Sequence, residues 1–322
     1  MCTAITFHTN RFYFGRTLDH DESYQEEVTV IPRAFPLPFL TNGHEHFAMM
    51  GMAHIADGFP LMYDGFNEKG LAVAGLNFVG NACYLDPIPG KENIPCYALI
   101  PWILGQCTTV GQARRLLKNL NITPQRFHDD LPCAQLHWLI ADKEQAITLE
   151  ACRDGLHVHD NPIGVMTNNP PFDQQLFHLQ NFMGLSPKQP QNRFAKNLDL
   201  QHYSNGMGAL GLPGDLSSPS RFVRAAFTKW NSHCSSTEGS SVSQFFHILG
   251  SVHQTNGCCE LPGGSFERTV YTSCCNCDLG IYYYTTYANR QITAVDMNRC
   301  DLSNNRLFRY PLIQTQQIHW QN

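Results

Sequence analysis

The second residue constrains this chain more than any other. Cys2 stands directly behind the initiator methionine, and a side chain that small lets the methionine be trimmed, so the mature chain would begin with cysteine. Such a residue carries a thiol and a free α-amine on the same carbon. An α-amine has an unperturbed pKa of about 7.7–8.0, so near neutral pH a useful fraction is an uncharged base. That amine can take the thiol proton, directly or through a water, and the nucleophile then needs no separate histidine. A cysteine at position 2 by chance is the alternative, and the residues that follow weigh against it.

Residues 3–8, TAITFH, and 12–15, FYFG, are short and rich in β-branched or aromatic side chains, with turn-like Thr9-Asn10-Arg11 between them. That is a hairpin signal. The second strand delivers Gly15-Arg16-Thr17-Leu18-Asp19. A hairpin folds its far end back beside its beginning, so Arg16 and Asp19 come within reach of Cys2. A carboxylate there can hold and orient the α-amine, while a guanidinium favours the thiolate and stabilises negative charge formed later. The plainer reading of this pair is a surface salt bridge.

Composition excludes several classes. The 322 residues allow one large domain or two small ones, and 43% hydrophobic with 15% charged residues describes a soluble globular protein with ample core. A formal net charge of −5 gives no basic footprint for nucleic acid. No basic region followed by an apolar run marks a secretory signal. The longest apolar-looking segment, residues 97–104, falls far short of the ~20 that a membrane span requires, so a cytoplasmic protein is expected. Thirteen cysteines, an odd count without a signal, read as reduced thiols. Cys258-Cys259 with Cys274-Cys275-Asn276-Cys277 invites a zinc reading. Structural zinc sites, however, usually space ligands as C-x₂₋₄-C, and adjacent cysteines in a strand point to opposite faces. Asn121-Ile122-Thr123 matches a glycosylation acceptor that means nothing without secretion.

Along the chain, residues 26–32, 47–54 and 61–63 read as strands, with a loop over 54–60, and the apolar run 71–77 reads as a buried strand. Residues 81–93 carry Pro and Gly and read as loop. Residues 97–107 and 110–120 look helical, the second with Val110, Ala113, Leu116, Leu117 and Leu120 on one stripe. Short strands follow at 135–141, 146–151, 156–159 and 163–166, then a helix at 172–183. Residues 184–216 are rich in Pro, Gly, Asn and Gln and too irregular to assign. Helices at 220–230 and 242–252 precede strands at 268–273, 280–287, 291–297 and 306–310. Strands, then helices, then strands, with little strict βαβ alternation, suggest mainly antiparallel sheets covered by helices.

Two kinds of decoy accompany the N-terminal feature. Gly206-Met207-Gly208-Ala209-Leu210-Gly211 matches a dinucleotide fingerprint, but polar residues precede it and Leu212-Pro213-Gly214-Asp215 breaks any helix that would follow. The fifteen histidines include the pairs His44/His46 and His157/His159, and His137 beside Trp138, which offer metal pairs or general bases; the α-amine already fills the base role.

MCTAITF, FGRTLD, GFNEKGLAVAGLNF (65–78), GVMTNNPPFD (164–173) and GLPGDLSSPSRFVRAAF (211–227) together resemble the choloylglycine hydrolase family of N-terminal-nucleophile hydrolases, which holds bile salt hydrolases and penicillin V acylases. The blocks stand in the family's order and spacing, essentially from end to end. The resemblance implies an α+β fold, a four-layer αββα sandwich over residues 2–322 with Met1 removed and the nucleophile at the start of a central strand. It calls for no metal or cofactor. It implies an oxyanion hole from the Asn77 backbone N–H and the Asn168 side-chain amide, each of which alone reads as a turn residue. It also places an active-site arginine at Arg221, where a basic side chain opening a helix works against the helix dipole. The Gly-rich loop around 206–214 is associated with subunit assembly in the family, and a homotetramer is expected.

The mechanism implied is amide hydrolysis through a Cys2 thioester, with Arg16, Asp19 and Arg221 holding the charge network. Penicillin V acylases commonly carry tyrosine where this chain has Asn77, and bile salt hydrolases carry asparagine. Leu18, Tyr24, Ala56, Phe59 and Leu131 resemble the bile-acid pocket, and small Ala56 would leave it open to a steroid. Glycine- and taurine-conjugated bile acids are therefore the expected substrates, with penicillin V acylase or another N-acyl amide hydrolase as the alternative. A non-enzymatic relative that only binds a ligand is the rival from another class, and the intact set Cys2, Arg16, Asp19, Asn77, Asn168 and Arg221 argues against it.

Overall fold

A computed structural model of the chain describes residues 1–40 and 46–322; the sequence reading of His44 falls outside them. The N-terminal hairpin forms where its β-branched and aromatic residues place it. β1 (Cys2–His8) pairs antiparallel with β2 (Phe12–His20), setting Cys2 opposite Leu18 and Ala4 opposite Arg16. The second strand runs past Gly15 because that residue lets a neighbour close in. A Cβ there would meet the carbonyl oxygen of Ser273 at 2.2 Å.

A meander follows: β3 (Glu27–Ile31), β4 (Met49–Ala56), β5 (Phe59–Asn67) and β6 (Ala72–Asn77). The expected loop over 54–60 is instead a two-residue hairpin turn. Asp57 and Gly58 both take positive φ, 48° and 77°, and that backbone twist matches the flanking strands. A short strand β7 (Glu92–Pro95) leads into α1 (Leu99–Gln106) and α2 (Val110–Leu117), and β8 (Leu120–Thr123) returns to pair with β7 in parallel. This pair occupies stretches read from the sequence as loop and helix end. Then come β9 (Leu136–Ala141), β10 (Ala146–Cys152), β11 (Gly155–Asp160), β12 (Val165–Met166), α3 (Phe172–Leu179), α4 (Ser218–Asn231) and α5 (Glu238–Gly250). The chain closes with β13 (Arg268–Asn276), β14 (Ile281–Thr286), β15 (Thr293–Asp296) and β16 (Phe308–Pro311).

The strands form two large antiparallel sheets, ordered β12-β1-β2-β13-β14-β15 and β11-β10-β9-β6-β5-β4-β3-β16. Three apolar cores show how they stack. Phe14, Met50, Phe66, Leu139, Cys275 and Tyr282 fill the space between the sheets. Trp102, Ile103, Val110 and Leu117 seat α1 and α2 on Val73, Trp138 and Ile140 of the larger sheet. Phe172, Phe222, Phe245 and Leu249 seat α3, α4 and α5 on Ile5, Tyr13 and Cys274 of the smaller one. The order of layers is thus helix, sheet, sheet, helix, the sandwich expected. Adjacent Cys274 and Cys275 belong to different cores, as the period of two along a strand requires.

Residues 184–217 carry no regular structure beyond a short turn at Met207–Ala209. The GxGxxG match lies here. Gly208 packs so tightly against the backbone that an added Cβ would sit 1.9 Å from the Lys188 carbonyl oxygen. The glycine serves loop closure, with no strand before it or long helix after it.

Candidate active site

β1 opens at Cys2, second from the edge of the smaller sheet and buried between β12 and β2. The groups brought to it come from several parts of the chain: β2, the end of β6, the stretch after β12 and α4. Arg16, on the neighbouring strand, donates from Nη2 to the Cys2 sulfur, from Nε to the Thr17 carbonyl at 3.1 Å, and from Nη1 to the carbonyls of Gly75 and Tyr63 at 2.5 and 3.3 Å. The last two acceptors exist because β5 and β6 part company there. Their pairing ends at Asp64 and Ala74, and the register shift between Met52 and Ala53 leaves Tyr63 bulged out of the β4 ladder. A fully buried guanidinium fills the gap. Burial works against its charge, but Cys2, Tyr271, Asp64 and Asp19 more than offset that and hold its pKa above the usual value.

Asp64 was not singled out from the sequence. It is fully buried behind Arg16 and accepts from Tyr271 and Tyr282 hydroxyls, each at 2.7 Å. Burial pushes its carboxyl up, against the pull of Arg16 and the two hydroxyls. No local pattern around Asp64 marks it, because its partners lie more than two hundred residues away.

Asn168 and Arg221 hold the backbone of Cys2. The Cys2 N–H donates to Asn168 Oδ1 at 2.8 Å, and Arg221 Nη2 donates to the same oxygen at 2.7 Å. Arg221 Nη1 reaches the Cys2 carbonyl oxygen and, at 2.7 Å, Thr3 Oγ1. Burial lowers the Arg221 pKa, opposed by Asp19 and Cys2. Asn168 Nδ2 donates to the Asn77 carbonyl at 2.7 Å, so both ends of that amide are fixed by their partners. Ser218 Oγ accepts from the Asn168 N–H, and Gln175 Nε2 donates to the Asn168 carbonyl. Ser218 and Gln175 are further supporting residues without a sequence signal. The Asn168–Asn169 stretch precedes a cis Asn169–Pro170 bond.

Asn77 ends β6. Phe78 donates its N–H to Gln135 of the β9 side, so by strand alternation the Asn77 N–H faces the edge that β5 has left. Asp19 does not touch Cys2 directly. Its buried carboxylate accepts from Thr17 Oγ1 at 3.1 Å and Thr269 Oγ1 at 2.7 Å. Met1 is present: its ammonium donates to the Asp19 carbonyl at 2.6 Å and pairs with Glu267. In this state the Cys2 nitrogen is a peptide amide and not a base.

A cavity of about 250 Å³ opens on the Cys2 sulfur, bordered by Arg16, Gly75 and Asn77. Leu18, Tyr24 and Leu131 line it, as expected from sequence. Ala56 and Phe59 do not border it. Phe59 stands behind the wall, stacked on Phe127 at 5.4 Å between ring centroids. Met62, Tyr63, Tyr97 and Phe127 add to the apolar lining, with Arg126, His20 and His54 among its polar members. Of the histidines weighed from sequence, His46 bonds to Phe35 and Phe47 carbonyls, and His137 is buried between Glu150 and the Thr167 carbonyl. His157 and His159 stack on each other on β11, away from the cavity.

The layering, with a cysteine opening an interior strand, is the architecture of the N-terminal-nucleophile hydrolases. The model of the linear amide C–N hydrolases, choloylglycine hydrolase family, matches residues 2–310. A bile salt hydrolase/transferase of Lactiplantibacillus plantarum is 51% identical over 97% of each chain, and one of Clostridium perfringens is 36% identical over the whole of both. The crystal structure of the C2A mutant of the conjugated bile acid hydrolase from Clostridium perfringens superposes with a TM-score of 0.93, at 36% identity over 100% of both chains. A penicillin V acylase from Agrobacterium tumefaciens shares the fold at a TM-score of 0.74, 20% identity, and coverage of 96% of this chain and 90% of its own. This chain belongs to the choloylglycine hydrolase family.

Proposed function

We propose that the chain hydrolyses the amide bond of glycine- and taurine-conjugated bile acids through a thioester on Cys2, as one catalytic domain over residues 2–322 once Met1 is lost. The observation that carries this reading is the apolar, aromatic-lined cavity opening onto the Cys2 sulfur, in a chain whose full-length relatives are named bile salt hydrolases.

Loss of Met1 turns the Cys2 nitrogen into an α-amine beside Asn168 Oδ1, which then orients a base rather than an amide. The amine takes the thiol proton, and the thiolate, with Arg16 as counterion, attacks the substrate carbonyl carbon. Negative charge forms on the carbonyl oxygen and is met by the Asn77 N–H and by the second N–H of Asn168 Nδ2, the one Asn77 does not take. The α-ammonium passes its proton to the departing glycine or taurine nitrogen as the C–N bond breaks. The freed amine then takes a proton from water, whose oxygen attacks the thioester and releases the bile acid. Arg221 holds the Cys2 carbonyl and Asn168 in place, and Asp19 supplies negative charge near both arginines. No step requires a metal or cofactor.

Leu18, Tyr24 and Leu131 with Met62, Tyr97 and Phe127 offer a steroid face; burial of such area contributes about 25 cal/mol per Å². A side-by-side kcat/KM for glycocholate, taurocholate and penicillin V tests the assignment. The expected order puts a bile salt first, and a highest value for penicillin V overturns it.

We read the protein as a cytoplasmic homotetramer. Among the described residues no helix is long and apolar enough to cross a membrane. Phe177, Met183, Phe194, Tyr203, Leu210 and Trp230 are exposed along and beside the irregular 184–217 segment, and large apolar side chains of this kind are what a subunit contact would cover. Light scattering at micromolar concentration is expected to give about four chain masses; a stable monomer refutes the assembly.

A further inference from the structure

Two cysteines outside the catalytic set meet in the wall of the cavity. Cys96 follows β7 directly and begins the turn into α1, while Cys133 lies on the irregular segment 124–135 between β8 and β9. Their sulfurs stand 3.1 Å apart, and both border the cavity. Cys96 is buried and Cys133 half-buried, so one thiol is sheltered and the other can be reached from solvent. The same segment carries Arg126, Phe127 and Leu131, the outer wall of the pocket. It is held to the rest of the fold by the Tyr84 hydroxyl on the Ala134 carbonyl and by Phe127 against Phe59 and Tyr97.

We propose that Cys96 and Cys133 form a reversible disulfide site that, when oxidised by a hydroperoxide, fixes the 124–135 segment to the turn before α1 and restricts the pocket. Only about an ångström of approach separates the present sulfurs, 3.1 Å apart, from a bond of ~2.05 Å.

The electrostatics assign the order of events. The hydrogen bond shared with Cys96, helped by Arg126, keeps the Cys133 thiol below its ordinary pKa, while the same contact and burial push Cys96 well up. Cys133, the less buried of the two and beside Arg126, is therefore the sulfur a peroxide reaches first, with Cys96 as the resolving thiol behind it. The Cys133 thiolate attacks one peroxide oxygen, the O–O bond breaks, and the departing hydroxide leaves as water after protonation, giving a sulfenic acid. The Cys96 sulfur then attacks the Cys133 sulfur and expels the hydroxyl, which departs as water with the Cys96 proton. Two thiols and one peroxide become one disulfide and two waters, and a dithiol reductant reverses the change.

The structural consequence is a loop closed across a sequence separation of 37 residues. A pocket wall tied down in this way holds bulky ligands less tightly, because it can no longer shift to accommodate them in the bound state.

The test uses the Cys2→Ala protein, so that oxidation of the nucleophile does not contribute. Treated with one equivalent of hydrogen peroxide at neutral pH, it is expected to yield a Cys96–Cys133 cross-linked peptide in non-reducing mass spectrometry, lost again on treatment with dithiothreitol. Glycocholate affinity by calorimetry, which rests on the substrate reading above, is expected to fall about fivefold or more on oxidation. It should recover on reduction, and Cys133→Ser in the same background should show no peroxide response. Oxidation of other cysteines with this pair left free overturns the proposal, as does a formed cross-link with unchanged affinity. The cross-link is read without any substrate, whereas reduced protein with Cys2 restored that fails to hydrolyse glycocholate would count against the substrate reading alone.

Discussion

The backbone nitrogen of Cys2 lies 2.8 Å from Oδ1 of Asn168, and the Nδ2 of that side chain is turned to Asn77. One amide is therefore engaged at both ends, as acceptor for the Cys2 nitrogen and as donor toward the end of β6, where the proposed mechanism puts the oxyanion. Asn168→Asp separates the two. A carboxylate keeps the contacts to Cys2 and Arg221 but has no N–H to offer. The expected result is a folded protein with kcat reduced by roughly 10²–10³. An Asn168→Asp enzyme with near-native kcat would show that only the acceptor end matters.

Met1 blocks the Cys2 nitrogen as a peptide, its own ammonium held by the Asp19 carbonyl and Glu267. Activity is expected only in chains that begin at Cys2. Intact-mass measurement of fully active protein should show the methionine gone. Cys2→Ser, which keeps the amine but replaces the thiolate by a weaker nucleophile, should lose at least about a thousandfold in kcat. Retained Met1 on active enzyme, or near-native turnover by the serine variant, ends the mechanism.

Arg16 makes four donations in one plane, to sulfur and three carbonyls. Lysine offers a point charge without that fork. Arg16→Lys is expected to lower kcat about a hundredfold with KM little changed, because the lost contact lies at the sulfur and not along the apolar wall. Equal loss in KM would place Arg16 in substrate binding instead.

The parts of this site legible in the sequence were those written locally. The Cys2 hairpin needs only two short strands and a turn, and Leu18 and Arg16 follow from it by register. The Asp57-Gly58 turn was also written there, inside the stretch 54–60 read as a loop, which ends at Pro60. The structure shows why proline is tolerated. Ile55 and Pro60 form a non-hydrogen-bonded pair next to the turn, so the missing N–H faces the edge that β6 has already left. The cavity wall was the least legible part. Met62 and Tyr63 depend on a bulge, and Phe127 and Cys133 lie on a segment with no periodicity to read. Asp64, Ser218 and Gln175 act through contacts between distant elements, which no spacing along the chain announces.

A thioester that water can attack is open to any amine that reaches it. Tyr24, Leu131 and Arg126 border the cavity around Cys2, and the departing glycine or taurine leaves by the path an incoming one would use. Free cholate with excess taurine is expected to yield a minor amount of taurocholate, detected by mass spectrometry and absent with Cys2→Ala. No conjugate above the uncatalysed background refutes reversal of the acylation.

The last prediction concerns stability at the back of the site. Glu150 is buried at the start of α3, where its carboxylate accepts from His137 Nδ1 at 3.0 Å, from the Phe172 N–H at 3.1 Å and from His159 at 3.5 Å. His137 in turn reaches the Thr167 carbonyl, next to Asn168. Burial alone would raise the Glu150 pKa, but the two histidines and the helix N–H outweigh it and hold it down at about 2. An unfolded glutamate titrates near ~4.3. The folded value is depressed, so this group's contribution is present above ~4.3 and is lost as pH falls through about 2. The hydrogen bond to Glu150 raises the His159 pKa, so its part is present below its unfolded value of ~6.5 and fades as pH rises through the folded one. Glu150→Gln removes both contributions and is expected to destabilise the protein by about 3 kcal/mol near pH ~5.5. The gap to wild type should narrow on the acid side, below ~4.3, and slightly on the alkaline side. Urea titrations of both proteins at pH ~3, ~5.5 and ~8 measure it. A gap that stays constant across the three would mean that Glu150 acts by shape and hydrogen bonding alone, not by its charge.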